Sequence, residues 1–173
     1  MKKDNKRLLN VRMVCFLALL VAVEVVFSRF LSYNVWNSKI GFNFIPVALA
    51  AMLFGPLPAA IAAAVADVIG AVLFPIAPFF PGYTLTAFLG GLTWGCFLYK
   101  KQSKWRLLGA VAVRQVVLST LLNTYWISFT YGSPYFPLLA TRLVQLVIMS
   151  VLEFVIVGIL MRIKPQLEKV VKK

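Results

Sequence analysis

Apolar runs of nearly membrane-crossing length recur along this chain, and they constrain its fold more than any other feature. From Val14 to Leu31 only Glu24, Ser28 and Arg29 carry strongly polar groups. About 20 residues at 1.5 Å per residue cross a hydrocarbon core of about 30 Å. Runs of that length suit α-helices, which satisfy their own backbone hydrogen bonds in lipid, better than the short alternating strands of a membrane barrel. A composition that is 61% hydrophobic and 13% charged, with a mean hydropathy of +0.88, lies far from that of a soluble globular domain. The expected fold class is therefore an all-α integral membrane protein, its 173 residues forming one compact domain. The first run lacks a small-residue cleavage site followed by a polar segment, and it reads as a retained helix rather than a signal peptide.

Punctuation by proline and glycine predicts six transmembrane helices. They run over about Leu9 to Ser32, Phe42 to Phe54, Pro58 to Phe74, Tyr83 to Tyr99, Trp105 to Thr130 and Pro137 to Ile163. A polar and aromatic loop, Tyr33 to Lys39, separates the first two. The uncharged turn Gly55-Pro56-Leu57-Pro58 separates the next pair. The third helix carries Ala59, Ala60, Ala62, Ala63, Ala64 and Ala66, small residues that let backbones approach closely. Pro75, Pro78 and Pro81 exclude a continuous helix between the third and fourth. Pro137 suits a first helical turn, and Pro165 is expected to end the last helix.

An even number of crossings places both termini on one side. That side receives Lys2, Lys3, Lys6, Arg7, Arg12, Lys100, Lys101, Lys104, Arg106, Arg162, Lys164, Lys169, Lys172 and Lys173, fourteen of the 18 basic residues. By the positive-inside rule this side is cytoplasmic, with basic tails at about residues 1–8 and 164–173. Orientation and contact with anionic lipid account for the net charge of +13, so no nucleic-acid partner is needed. The opposite side bears Tyr33, Trp36, Phe79, Phe80, Tyr131, Tyr135 and Phe136, which form either an interfacial belt or a lid over a cavity.

Polar residues inside the spans indicate what such a cavity would hold. Leu121-Leu122-Asn123-Thr124-Tyr125-Trp126-Ile127-Ser128 gathers an amide, hydroxyls and two hydrogen-bonding rings within an apolar run. Hydrocarbon penalises such groups by several kcal/mol when unpaired, so they belong against neighbouring helices or a cavity. Glu24, Arg29, Asp67, Arg114, Arg142 and Glu153 also fall within the spans, and each requires a partner or a purpose. Arg29, Asp67, Asn123, Tyr125, Trp126 and Arg142 occupy one depth zone near the outer side. Arg142 and Gln145, three apart, share a helix face. Two guanidiniums near a mouth suit a carboxylate ligand. Asp67 either accepts paired N–H groups from an aminopyrimidine edge or pairs with Arg29 or Arg142. Arg114, Glu24 and Glu153 are expected to pair internally. The chain has no histidine, and Cys15 and Cys96 stand apart in apolar context, which supports neither a zinc site nor a disulfide framework. No Walker A sequence and no nucleophile–base arrangement is present, so binding rather than catalysis is expected and no metal or cofactor is called for.

Several segments resemble one family. Gly41-Phe42-Asn43-Phe44-Ile45-Pro46, Ala50-Ala51-Met52-Leu53-Phe54-Gly55-Pro56, Ala66-Asp67-Val68-Ile69-Gly70-Ala71, Phe80-Pro81-Gly82-Tyr83-Thr84-Leu85-Thr86-Ala87-Phe88-Leu89-Gly90-Gly91 and Leu122-Asn123-Thr124-Tyr125-Trp126 are similar to the folate-specific S components of energy-coupling factor (ECF) transporters. The resemblance implies a six-helix protein that binds a vitamin from outside. It also implies partners, namely a transmembrane T component and two cytoplasmic ATPases. Ala18 and Ala22 match the small-residue element by which such proteins pack on the T component. Folate as ligand would stack its pterin on Trp126, Tyr125 or Phe80, meet polar groups at Asn123 or Asp67, and place its glutamate carboxylates near Arg29, Arg142 or Lys39. Two other readings stay open at this point: an S component for riboflavin, thiamine or another vitamin, and a membrane scaffold or lipid-modifying enzyme.

Overall fold

The computed structural model describes residues 11–35, 38–76 and 78–172. Helix α1 (Val11–Arg29) leads into a hairpin of β1 (Ser32–Val35) and β2 (Ser38–Gly41). Then come α2 (Phe44–Phe54), α3 (Pro56–Leu73), α4 (Pro81–Leu98) and α5 (Lys104–Ala112). Helix α5 continues without a break through a π-helical segment (Val113–Leu122) into α6 (Asn123–Tyr131), and α7 (Tyr135–Lys172) closes the chain. Among the described residues, three helical stretches are long and apolar enough to cross a membrane: Pro56–Leu73, Lys104–Tyr131 and Tyr135–Leu167. The basic tail at residues 1–8, Trp36 and the side chain of Lys39 lie outside the described residues.

Most boundaries follow the punctuation of the sequence. Gly55, at φ +100°, occupies a conformation that L side chains rarely adopt, and it separates α2 from α3 with a single residue. Pro56 then opens α3 in the first turn, where its missing N–H costs nothing. Pro81 opens α4 in the same way. Gly132, at φ +64°, ends α6 in the left-handed conformation.

Three features depart from expectation. The loop from Tyr33 to Lys39 belongs to an antiparallel hairpin that pairs Ser32 with Gly41, Tyr33 with Ile40, Asn34 with Lys39 and Val35 with Ser38. The fifth span is not uniformly α-helical, because ten of its residues adopt π geometry. The last helix does not stop before Pro165 but runs through it to Lys172. Proline removes one backbone hydrogen bond there at a cost of about 3 kcal/mol. The helix is pinned just before that point, where Lys164 Nζ donates to the Tyr99 carbonyl at the end of α4 (3.2 Å).

The core centres on α2, whose Phe44, Ala48 and Met52 are buried against Trp94 and Leu98 of α4, Leu107 and Val111 of α5, and Val157 of α7. Outward faces are apolar as well: Val144, Val147, Val151, Val155 and Ile159 of α7 are exposed, a surface suited to hydrocarbon. Helices α3 and α4 approach most closely where α4 has no side chains. A Cβ on Gly91 would lie 2.7 Å from the Ala59 carbonyl oxygen, and one on Gly95 would overlap Pro56. Overpacking costs about 1–3 kcal/mol when side chains can yield and more when backbone is struck. Gly95→Ala is therefore expected to lower the midpoint of thermal unfolding in detergent by several degrees; an unchanged midpoint would refute this close packing.

Candidate binding site

Because α4 has no side chain at Gly90, where an added Cβ would meet only Arg114 Nε at 3.8 Å, the bundle keeps an internal space there instead of filling it. The cavity has a volume of about 610 Å³, within the range of small-molecule sites. Its wall receives residues from α1, α3, α4, the π segment, α6 and α7, together with the proline-rich connection before α4. Five of the residues singled out from the sequence meet there: Arg29, Asp67, Phe80, Asn123 and Arg142.

Arg142, on α7, is 4% exposed. Its guanidinium donates from Nε to Gln145 Oε1 (3.4 Å) and from Nη1 to Thr124 Oγ1 (3.3 Å), both long contacts to neutral groups. No carboxylate lies within 4.0 Å of it among the described residues. Arg29, at the end of α1, lies against α3 where Gly70 leaves room: a Cβ on Gly70 would sit 2.8 Å from Arg29 Nε. That nitrogen is buried without a partner. Asp67 pairs with neither arginine. It accepts a hydrogen bond from Thr84 Oγ1 (2.8 Å), which leaves much of the carboxylate's capacity unused. The Oδ1 of Asn123 is also buried and unpartnered.

The aromatic residues form a shelf along one side. The Phe80 ring lines the cavity and packs on Trp126 (5.4 Å between centroids), Tyr83 (5.9 Å) and Phe129 (6.0 Å). Trp126 stands behind Phe80 rather than on the wall. Its Nε1 donates to Thr86 Oγ1 (3.1 Å), which in turn donates to the Gly82 carbonyl (3.0 Å), fixing the indole. Tyr125 is 51% exposed and edges onto Trp126 from outside, away from the cavity.

Toward the middle of the bundle the wall carries residues not counted as ligand contacts from the sequence. Arg114 Nη1 pairs with Glu153 Oε1 at 3.2 Å, and its guanidinium lies 5.6 Å from the centre of the Trp94 ring. Arg114 and Glu153, each expected to pair internally, thus pair with each other. The Glu153 side chain has no exposed surface, and its Oε2 has no partner among the described residues. Both Arg114 and Gln115 nonetheless line the cavity, because the π segment places Arg114, Gln115, Leu118 and Ser119 along it. The signal in the sequence was the density of polar residues from Arg114 to Asn123 within an apolar span. The alanines Ala18 and Ala22 lie apart from the cavity, exposed on α1.

The cavity thus has two electrostatically different parts. Arg29 and Arg142 present cationic charge with no carboxylate within 4.0 Å among the described residues, whereas Arg114 is neutralised by Glu153. An elongated ligand with an anionic end and a neutral polar end matches both.

Comparison with known proteins agrees with this geometry. The family described as the ECF transporter substrate-specific component matches residues 12–163. A folate transporter FolT of Clostridium novyi (strain NT) is 40% identical over 149 residues, covering 86% of this chain and 87% of that protein. The FolT of Leuconostoc mesenteroides is 34% identical over 125 residues, covering 71% and 67% respectively. A crystal structure of FolT bound with folic acid superposes with a TM-score of 0.85 at 39% identity, covering 88% of this chain and 94% of the other.

Proposed function

The chain belongs to the family of ECF transporter substrate-specific components, and from that premise we propose that it is the folate-binding subunit of such a transporter. The observation that carries the ligand class is Arg142, a guanidinium buried beside the cavity with no carboxylate within 4.0 Å among the described residues. Burying an unpaired cation is costly, and a ligand carboxylate removes most of that cost. Folate supplies two carboxylates on its glutamate tail and a neutral heterocycle at the other end. The tail lies toward Arg29 and Arg142. The pterin stacks on Phe80, on the shelf backed by Trp126 and Tyr125, with polar contacts at Asn123 and Asp67.

In this reading the whole chain is one six-helix domain in the cell membrane, with both basic termini cytoplasmic. It carries no catalytic group and needs no metal or cofactor. The exposed Ala18 and Ala22 on α1 form the groove that receives a T component, and two ATPase subunits supply the energy.

The decisive experiment purifies the protein in detergent from folate-fed cells, identifies any bound vitamin by mass spectrometry, and titrates stripped protein with folic acid, riboflavin and thiamine. The expected result is one tightly bound folate per chain and selectivity against the other two. Selective binding of riboflavin or thiamine would overturn the substrate, and no saturable binding would overturn the reading altogether.

A further inference from the structure

Threonine hydroxyls on α4 donate to the carbonyl four residues back, Thr86 to Gly82 (3.0 Å) and Thr93 to Leu89 (2.8 Å), and on α7 Thr141 donates to Leu138, three back (2.8 Å). That is the ordinary reach of threonine in an α-helix. Thr120 departs from it. Its Oγ1 donates to the Gln115 carbonyl, five residues back, at 2.8 Å. The backbone changes winding over the same stretch. At its start the Val113 N–H bonds the Gly109 carbonyl, four residues back, whereas just past its end the Asn123 N–H bonds the Leu118 carbonyl, five back. Thr120 is 5% exposed and lies off the cavity wall, so its hydroxyl serves the helix and not a ligand.

The altered winding decides which residues meet the cavity. Gln115, Ser119, Asn123, Ile127 and Tyr131 all line it, at a strict spacing of four. At 3.6 residues per turn each step of four rotates a side chain by about 40°, so four steps in an α-helix would carry it about 160° around, nearly to the opposite face. A π turn, closed by bonds from residue i to i+5, takes more than about four residues, and there the stripe rotates the opposite way. The π segment followed by α6 therefore keeps the stripe on one side. We infer that Thr120 is a positioning residue for ligand binding, its hydroxyl holding the π winding that turns Ser119 and Asn123 to the cavity. This rests on the folate reading and adds to it what sets the register of the wall. π winding is rare, and a side-chain bond that only this winding permits favours it over the α alternative. Molecules that revert to α winding present a different wall, so the apparent affinity falls with the fraction that stays competent.

The test reads the wall and the ligand separately. In protein whose exposed Cys15 and Cys96 are changed to alanine, Ser119→Cys puts a single thiol on the cavity wall, where a small water-soluble methanethiosulfonate reagent modifies it. Adding Thr120→Val, which keeps the shape and loses the hydroxyl, is expected to slow this modification about fivefold, the equivalent of one buried hydrogen bond. Adding Thr120→Ser instead, which keeps the hydroxyl, restores most of the rate. Titration with folic acid of proteins carrying only the change at Thr120 follows the same order, with Thr120→Val about fivefold weaker than wild type and Thr120→Ser recovering most of the loss. A hydroxyl with a merely structural role would lower the melting midpoint of the empty protein and leave both the thiol's reactivity and the affinity in place. That result, or Thr120→Ser behaving like Thr120→Val, would overturn the positioning role while leaving folate as the ligand. Should Thr120→Val fail to fold, Thr120→Ala makes the same comparison. Failure of wild type to bind folic acid would overturn the folate reading and the positioning role with it.

Discussion

Arg142→Met weakens folic acid binding by about a hundredfold or more, the expected loss when one side of a buried charge pair is removed at about 2–5 kcal/mol. The prediction follows from what Arg142 touches. Thr124 and Gln145 are neutral, and no carboxylate among the described residues lies within 4.0 Å of it, so its charge has no direct partner among them. The same fact predicts an opposite effect on the empty protein. Exchanging an uncompensated buried cation for an apolar side chain of similar length removes a desolvation cost, so the ligand-free variant melts no lower than wild type. Ligand-induced stabilisation, in contrast, nearly disappears. Thermal melts with and without folic acid, together with a titration, measure both effects. An unchanged affinity would remove Arg142 from the binding site.

Glu153→Ala is the substitution expected to damage the fold most. Its side chain is wholly buried and holds Arg114 at 3.2 Å, so truncation strands a guanidinium inside the bundle. Breaking a buried pair from one side costs about 3–5 kcal/mol, whereas replacing both partners with apolar groups is often close to neutral. The double variant Arg114→Met/Glu153→Leu should therefore recover most of the thermal stability lost by Glu153→Ala. If the single variant melts like wild type, the pair contributes nothing to the fold.

How much of this was legible in the sequence depends on the kind of signal each feature leaves. Apolar runs and prolines marked the helices to within a few residues, except the end of α7, which runs nine residues beyond Ile163, because lipid enforces backbone satisfaction along the whole of each span. The hairpin between α1 and α2 was not legible: Ser-Tyr-Asn-Val and Ser-Lys-Ile-Gly are short and polar, and nothing local favours their pairing over an irregular loop. The winding of the π segment was not legible either: Arg114, Gln115, Ser119 and Thr120 mark it as polar, but nothing in their spacing marks the change from α to π geometry. Among the candidate site residues, intramembrane charges and amides were the reliable guides. Arg29, Asp67, Asn123 and Arg142 are too costly in lipid to be anywhere but inside, and all four line the cavity. Aromatic residues carried no such constraint. Tyr125 satisfies the membrane equally well facing outward, and that is where the structure sets it. Arg114 was assigned a structural partner and has one, but pairing through Nη1 does not use up a group with five donors, and the residue reaches the cavity wall as well.

Helix α7 spans two distant places. It carries Arg142 at the cavity and Lys164, which is tied to the last turn of α4. Nineteen residues separate Arg142 from Met161 on this one helix, a rod of about 28 Å at 1.5 Å per residue. A lever of that length magnifies small angles. A tilt of about 10° pivoting at Arg142 carries the far end sideways by about 5 Å, close to one helical turn. A movement at Arg142 too slight to alter the cavity's outline would thus become a displacement of several ångströms at the far end of α7.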